Sequence, residues 1–288
     1  MKILIALYEL ENFFGGVQTW SITMYHALKK LGQDVYFFTH SNKINENYKR
    51  LPFVRNGDFD LILCNINIVL NDIKNFKGKK VFISHGILSK LAQPINGADI
   101  YIAVSEETAH ACETTGFHID KIIRNPIDCD RFFFSSCRKE LKTIAFFDRR
   151  RIFSFTDELK NYGFEVFEIG YPPILNPEVI IAKADLIVAR GRGAYEAMAM
   201  GKNVIISGND SGRSNTELMD GFVDNEMFFK FRRNNLSGRY NRITISSVDI
   251  FLKELGKYNN KQGSLNRKLI LNHNNSQIIA KQFMELAN

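Results

Sequence analysis

The sequence predicts an α/β protein made of two successive halves, closed by helices. Three observations lead there. Apolar runs of strand length recur along the chain, separated by stretches with helical spacing. Glycines sit where a run gives way to a helix, as at Gly15–Gly16 and Gly191–Gly193. A Pro- and Asx-rich stretch at 125–132, followed by polar 135–140, divides the series in two. A chain of 288 residues is long enough for two domains, and 45% hydrophobic residues is ordinary for a globular protein.

The first half opens with an apolar strand at 3–7 and a loop that ends in Gly15 and Gly16. From Val17 a helical period places Trp20, Met24, Ala27, Leu28 and Leu31 on one face, and Gly32 stops it. A second strand is expected at 35–39, then shorter ones at 61–64, 81–83 and 100–104. A helix at 106–115 ends before Gly116, and residues 122–123 make the last strand. Strands joined through helices pair in parallel.

The second half starts with a strand at 143–147 that runs into Asp148, Arg149, Arg150 and Arg151. Ser154 with Asp157 resembles a capping box for a helix that Gly163 ends. A strand at 164–169, a Pro-Pro turn at 172–173 and a short helix at 177–182 follow. Then come strands at 186–189 and 203–206 around a short helix, and a polar loop at 207–215 with Gly208 and Gly212. Residues 224–247, rich in Asn, Arg and Phe, give no clear assignment. Helices are expected at 248–258 and 276–286. The domains read as 1–135, 136–272 and a terminal helix in 273–288.

The net charge of +7 suits anionic partners: a nucleotide, a phospholipid surface or nucleic acid. A biased genome, rich in Asn, Lys, Phe and Ile, explains it equally well. No apolar run reaches the length of a membrane span, and the N-terminus reads as a strand rather than a leader. Cys64, Cys112, Cys129 and Cys137 lack paired spacing and fit reduced thiols in the cytoplasm. A metal site from His110, Cys112 and Cys129 is the weaker alternative to scattered thiols, so no metal is expected.

The segment 185–206, DLIVARGRGAYEAMAMGKNVII, carries the most chemistry. Its turn offers Arg190, Gly191, Arg192 and Gly193 ahead of a helix with Glu196 in its first turns. Glycines admit a ligand close to the backbone, and a helix start offers N–H groups and a positive dipole end. Arginines donate in pairs to phosphate oxygens. A carboxylate beside an anion site makes sense as an acceptor for hydroxyls such as those of a ribose. Together these residues suggest a nucleoside diphosphate.

The ordered motifs resemble those of GT-B glycosyltransferases of the group 1, family 4 type. FGGVQTW at 14–20 is similar to the family's Gly-Gly loop and the helix behind it. FISHG at 82–86 is similar to the strand that ends in an active-site His. AVS at 103–105, IIRNPID at 122–128 and Phe132 resemble the passage before the interdomain linker. EAMAMGKNV at 196–204 resembles the family signature, and Gly212, Glu217 and Gly221 fit the loop after it. The likeness spans residues 1–225. The chain departs from the family in its short second domain. It also has Val188 where a second, sugar-holding Glu often stands, eight positions before Glu196.

The resemblance implies two Rossmann-like domains whose parallel sheets face across a cleft, with a last helix that crosses back to the first domain. It implies transfer of a sugar from a UDP- or GDP-linked donor to an acceptor hydroxyl, retaining and metal-independent, with no further cofactor. Polysaccharide biosynthesis is the setting it suggests, in the cytoplasm or at a membrane surface. His85 would contact the donor sugar or reacting centre, and Arg149 and Arg150 would take the leaving-group charge. Gly15, Gly16, Arg190, Arg192, Gly193 and Glu196 would bind the donor. Plainer readings stand beside these: a solvated turn for Arg149–Arg151, a dipole-stabilising Glu196, a tight turn at Gly15–Gly16 and a core-edge His85. Asn125 and Asp128 shape a turn, and Trp20 belongs to the core. Alternatives for the whole chain are an impaired nucleotide-sugar-binding or assembly protein, an epimerase or inverting transferase, and, less favoured, a nucleic-acid-modifying transferase. The acceptor, met by loops such as 44–56 and 88–96, and the oligomeric state carry no label in the sequence.

Overall fold

The computed structural model describes residues 1–11, 16–147, 155–169, 174, 176–209 and 217–287. The chain divides into two compact units: Met1–Pro126 with Asn274–Asn288, and Ile127–His273.

Unit 1 contains β1 (Lys2–Leu7), α1 (Gly16–Lys30), β2 (Asp34–Thr39), β3 (Asp58–Cys64) and α2 (Asn67–Asp72). It continues with β4 (Lys77–Ser84), β5 (Ile100–Ala103), α3 (Glu106–Glu113) and β6 (Lys121–Ile122). The strands form one parallel sheet in the order β2-β1-β3-β4-β5-β6. Successive connections leave β1 in opposite directions, so the topological switch point lies between β1 and β3. Ligands of open α/β sheets bind at the carboxyl ends of strands flanking such a point.

Both faces of this sheet are covered. One buries Ile5, Leu7, Phe37, Leu63 and Ile83 under Trp20, Met24 and Leu28 of α1. The other packs Leu4, Ala6, Ile62 and Phe82 against Val69, Leu70 and Phe76. The helix expected from Val17 begins one residue earlier, and Gly32 stops it with φ +75°, a conformation that suits glycine.

Unit 2 contains β7 (Thr143–Phe147), α4 (Thr156–Asn161), β8 (Glu165–Ile169), α5 (Pro177–Ile181), β9 (Leu186–Ala189) and α6 (Arg192–Ala199). Then follow β10 (Asn203–Asn209), β11 (Glu217–Phe222), α7 (Asn225–Phe231), β12 (Ile243–Thr244), α8 (Val248–Leu255) and α9 (Gln262–His273). The sheet order is β12-β11-β10-β9-β7-β8, with its switch point between β7 and β9. β7, β8, β9 and β10 are parallel, whereas β11 and β12 join antiparallel. Of these two strands β12 falls in the stretch the sequence left unassigned, and β11 lies just before it.

Helix α9 has no counterpart in the sequence reading. Its sequence is polar, with Asn266 fully buried and donating through Nδ2 to the Lys202 carbonyl at 2.9 Å. Gly263 explains its start: a Cβ there would lie 2.0 Å from the Gly201 carbonyl oxygen. Its buried face is mixed: Gln262, Gly263 and Asn266 in the first turns, and Leu269 and Ile270 in the unit 2 core, so the apolar stripe used to find helices is only half present. The last helix, α10 (Ser276–Met284), returns to unit 1, where Ile279, Ala280 and Phe283 join the α1 face. The polar stretch after Pro126 belongs to unit 2 by packing. Ile127, Cys129 and Phe132 enter its core with Met198 and Met200. Ser154 lies outside the described residues, so its cap with Asp157 does too.

Candidate functional site

In unit 1 the carboxyl ends of β3 and β4 bring two side chains together. Asn65 follows Cys64, His85 follows Ser84, and adjacent parallel strands carry them side by side. His85 Nε2 lies 2.6 Å from Asn65 Oδ1. An amide oxygen accepts, so Nε2 is the donating nitrogen of this pair. Asn65 is fully buried and donates to Ser21 Oγ at 3.4 Å. Trp20 meets His85 edge-on, with ring centroids 5.4 Å apart, and meets Phe283 the same way at 5.5 Å. Trp20 is thus a core residue, and it also backs the imidazole. Asn65 escaped the sequence reading. Its one signal was a polar amide directly after a buried strand.

Gly16 is exposed and opens α1; a Cβ there would meet nothing within 4 Å among the described residues. Chain packing therefore does not require glycine at this position. Gly15 lies outside the described residues.

In unit 2 the turn between β9 and α6 stands at the switch point. Gly191 holds φ +53° and ψ −129°, which other residues adopt only with strain. Its carbonyl accepts from Ala194 N at 3.1 Å and Tyr195 N at 3.2 Å, and its N–H donates to the Leu236 carbonyl at 2.7 Å. Leu236 reaches that position through a left-handed kink, with φ +56° at Asn235 and +51° at Leu236. The kink belongs to the stretch the sequence left unassigned, so this brace was invisible there. Packing is tight at Gly193: a Cβ would fall 3.0 Å from Cδ1 of the Phe147 ring, which would have to give way by a few tenths of an ångström.

Arg192 is the first residue of α6 and Glu196 stands one turn on. Arg192 Nε donates to Glu196 Oε1 at 2.7 Å, with side chains only 15% and 6% exposed. Burial pushes the Glu196 carboxyl above the usual range, and the adjacent guanidinium opposes that shift. Removing one partner of such a pair costs about 3–5 kcal/mol, because the other charge stays buried alone. Arg190 is half-buried at the end of β9. Val188 is fully buried inside β9, in a core with Phe146 and Ile205, so that position presents no carboxylate to a ligand.

A second ion pair stands in the same field. Arg131 reaches Glu178 of α5 with Nε to Oε1 at 3.2 Å and Nη2 to Oε2 at 3.0 Å. Both charges act on Glu196, Arg131 favouring its ionised form and Glu178 opposing it. The partners lie 47 residues apart, so no local pattern could reveal them. Asp128 Oδ1 accepts from Asp130 N and Arg131 N, both at 3.1 Å, which fixes the turn that presents Arg131. Arg149, Arg150 and Arg151 lie outside the described residues.

Among the described residues no group of three or more His, Cys, Asp or Glu side chains could hold a metal ion. Cys112 and Cys129 belong to the cores of different units. Cys64 and Cys129 are buried thiols pushed up to about 12 and about 11, outside the range of reactive cysteines. No helix of the described residues is long and apolar enough to cross a membrane.

No protein-family model and no curated protein sequence matches the chain. Solved structures do. An α-glucosyltransferase in complex with UDP aligns over 100% of this chain and 99% of its own, at TM-score 0.62 and 12% identity. The α-glucosyltransferase in complex with UDP and a 13-mer DNA containing an HMU base aligns over 99% of each chain, at TM-score 0.58 and 11% identity. AviGT4, a glycosyltransferase involved in avilamycin A biosynthesis, aligns over 100% of this chain and 97% of its own, at TM-score 0.54 and 14% identity. The fold is that of GT-B glycosyltransferases, with a Rossmann-like sheet in each unit.

Proposed function

We propose that the chain is a glycosyltransferase that moves a sugar from a nucleoside-diphosphate donor to an acceptor hydroxyl. The carrying observation is the β9–α6 turn: a glycine-braced helix start with buried Glu196, at the switch point of a sheet in a GT-B fold. Unit 2 binds the donor. Glu196 accepts from the ribose hydroxyls. Gly193, Arg190 and the Arg149–Arg150 run meet the diphosphate, whose charge grows as the glycosidic bond breaks. Gly15 and Gly16 allow close backbone approach in unit 1, and His85 contacts the transferred sugar. The acceptor hydroxyl gains the glycosyl group and loses a proton, and the nucleoside diphosphate leaves. The family likeness supports retention of configuration, a UDP-linked donor and leaving-group stabilisation by cations of the chain.

The test is a thermal-shift screen with UDP, GDP, ADP, CDP and dTDP, followed by calorimetry and donor hydrolysis with the matching sugars. A bound nucleotide raises the melting temperature by mass action. Glu196→Ala should weaken nucleotide binding by about tenfold or more, the loss of hydrogen bonds to a charged group. Equal affinity in the variant would remove Glu196 from the site. Nucleotide binding without hydrolysis or transfer would favour a binding protein on this fold.

A nucleic-acid acceptor is a second reading. It is favoured by the likeness to a structure that holds UDP with DNA and by the net charge of +7. Duplex binding whose affinity falls steeply with salt would support it.

A further inference from the structure

We propose that Arg192 is a positioning residue for Glu196 rather than a ligand of the donor phosphates. This rests on the nucleotide-site reading above and deepens it. Two roles are open to an arginine at the first position of a helix that faces a ligand. It can add positive charge for an anion, or it can hold a neighbouring carboxylate.

The geometry favours the second. Arg192 Nε is committed to Glu196 Oε1 at 2.7 Å, one turn further into the helix and away from its N-terminal N–H groups. Helix preference does not account for the pair. A cation in the first turn opposes the macrodipole, and Glu placed after its basic partner is the weaker order at this spacing. The two side chains are nonetheless among the buried charges of unit 2. Charge balance points the same way. Arg131 meets Glu178 and Arg192 meets Glu196, so these four side chains together carry no net charge.

What the pair does provide is a prepared acceptor. Burial alone drives Glu196 toward its protonated form, in which it would lose acceptor strength for hydroxyl groups. The guanidinium opposes this and fixes the carboxylate plane through Oε1. Among the described residues Oε2 accepts no hydrogen bond, so one oxygen is anchored and the other is left for a ribose hydroxyl.

The test uses a pair of ligands on the full chain. Calorimetry compares UDP or GDP, whichever the screen selects, with its 2′,3′-dideoxy analogue. Wild type should bind the dideoxy form about 10- to 100-fold more weakly, the equivalent of one or two hydrogen bonds to a charged group. In Arg192→Gln that discrimination should fall to roughly twofold, while affinity for the dideoxy form changes by less than about threefold. Glu196→Gln should behave alike. Arg192→Lys keeps a point charge able to serve phosphate but not the Nε geometry. It should therefore retain dideoxy binding and lose discrimination, and it carries the test if Arg192→Gln does not fold. Equal weakening of both ligands with discrimination intact would make Arg192 a phosphate ligand and overturn the proposal. Absence of discrimination in wild type would overturn it too, leaving the nucleotide site standing. Failure of wild type to bind any of the five nucleotides would remove the nucleotide site itself.

Discussion

The two units present the same kind of edge and equip it differently. In unit 1 the carboxyl ends of β3 and β4 carry His85 and Asn65, linked by one hydrogen bond and backed by Trp20. In unit 2 the edge around the β9–α6 turn carries charge in two ion pairs, the largely buried Arg192–Glu196 and the more exposed Arg131–Glu178. Neutral networks lose about 1 kcal/mol when one bond goes, whereas an orphaned buried charge costs several times that. The edge that handles charge is thus also the one whose residues are least replaceable singly.

Four experiments sharpen this contrast, from the largest effect down. Arg192→Met alone should lower stability by about 3–5 kcal/mol in urea unfolding, and Arg192→Met with Glu196→Leu should recover most of it. If the double variant is no more stable than the single, the pair is not the source of the cost. Phe283→Ala should cost about 3–4 kcal/mol by emptying the space under Trp20, and should also reach His85, visible as a shift of its imidazole NMR signals. Unmoved signals would mean that Trp20 does not transmit packing to the histidine. Gly193→Ala should cost about 1–3 kcal/mol through overlap with the Phe147 ring, with Phe147→Leu restoring part of the loss. Last, a double-mutant cycle of His85→Ala and Asn65→Ala should give a coupling of about 1 kcal/mol in stability, with nucleotide affinity unchanged. A coupling near zero, or an altered nucleotide affinity, would break the comparison between the edges.

Much of the frame was legible in advance. The strand at 186–189, the turn glycines and the helix carrying Glu196 all stand where periodicity put them, because parallel strands buried on both faces read as short apolar runs. Helix α9 was not legible, because Gly263 and Asn266 take positions on its buried face beside Leu269 and Ile270 and interrupt the apolar stripe. Strand β12 was hidden because a two-residue edge strand is too short to show alternation, and β11, Glu217–Phe222, carries Asp220 and Gly221 in place of an apolar run. In the site, Glu196, Arg192 and His85 were readable from motif position. Asn65, Arg131 and Glu178 were not, since each acts through a partner distant in sequence.

The sequence by itself determined the order of elements, the placement of glycines at both ligand-type turns and the residue types available there. Those are local properties, set by backbone freedom and by the period of burial. Only the tertiary structure decided which carboxylate Arg131 faces, how Leu236 braces Gly191, and that Val188 belongs to the core. Electrostatic and packing partners depend on distance through space. Local pattern does not encode that distance once sheet crossovers separate the partners by dozens of residues.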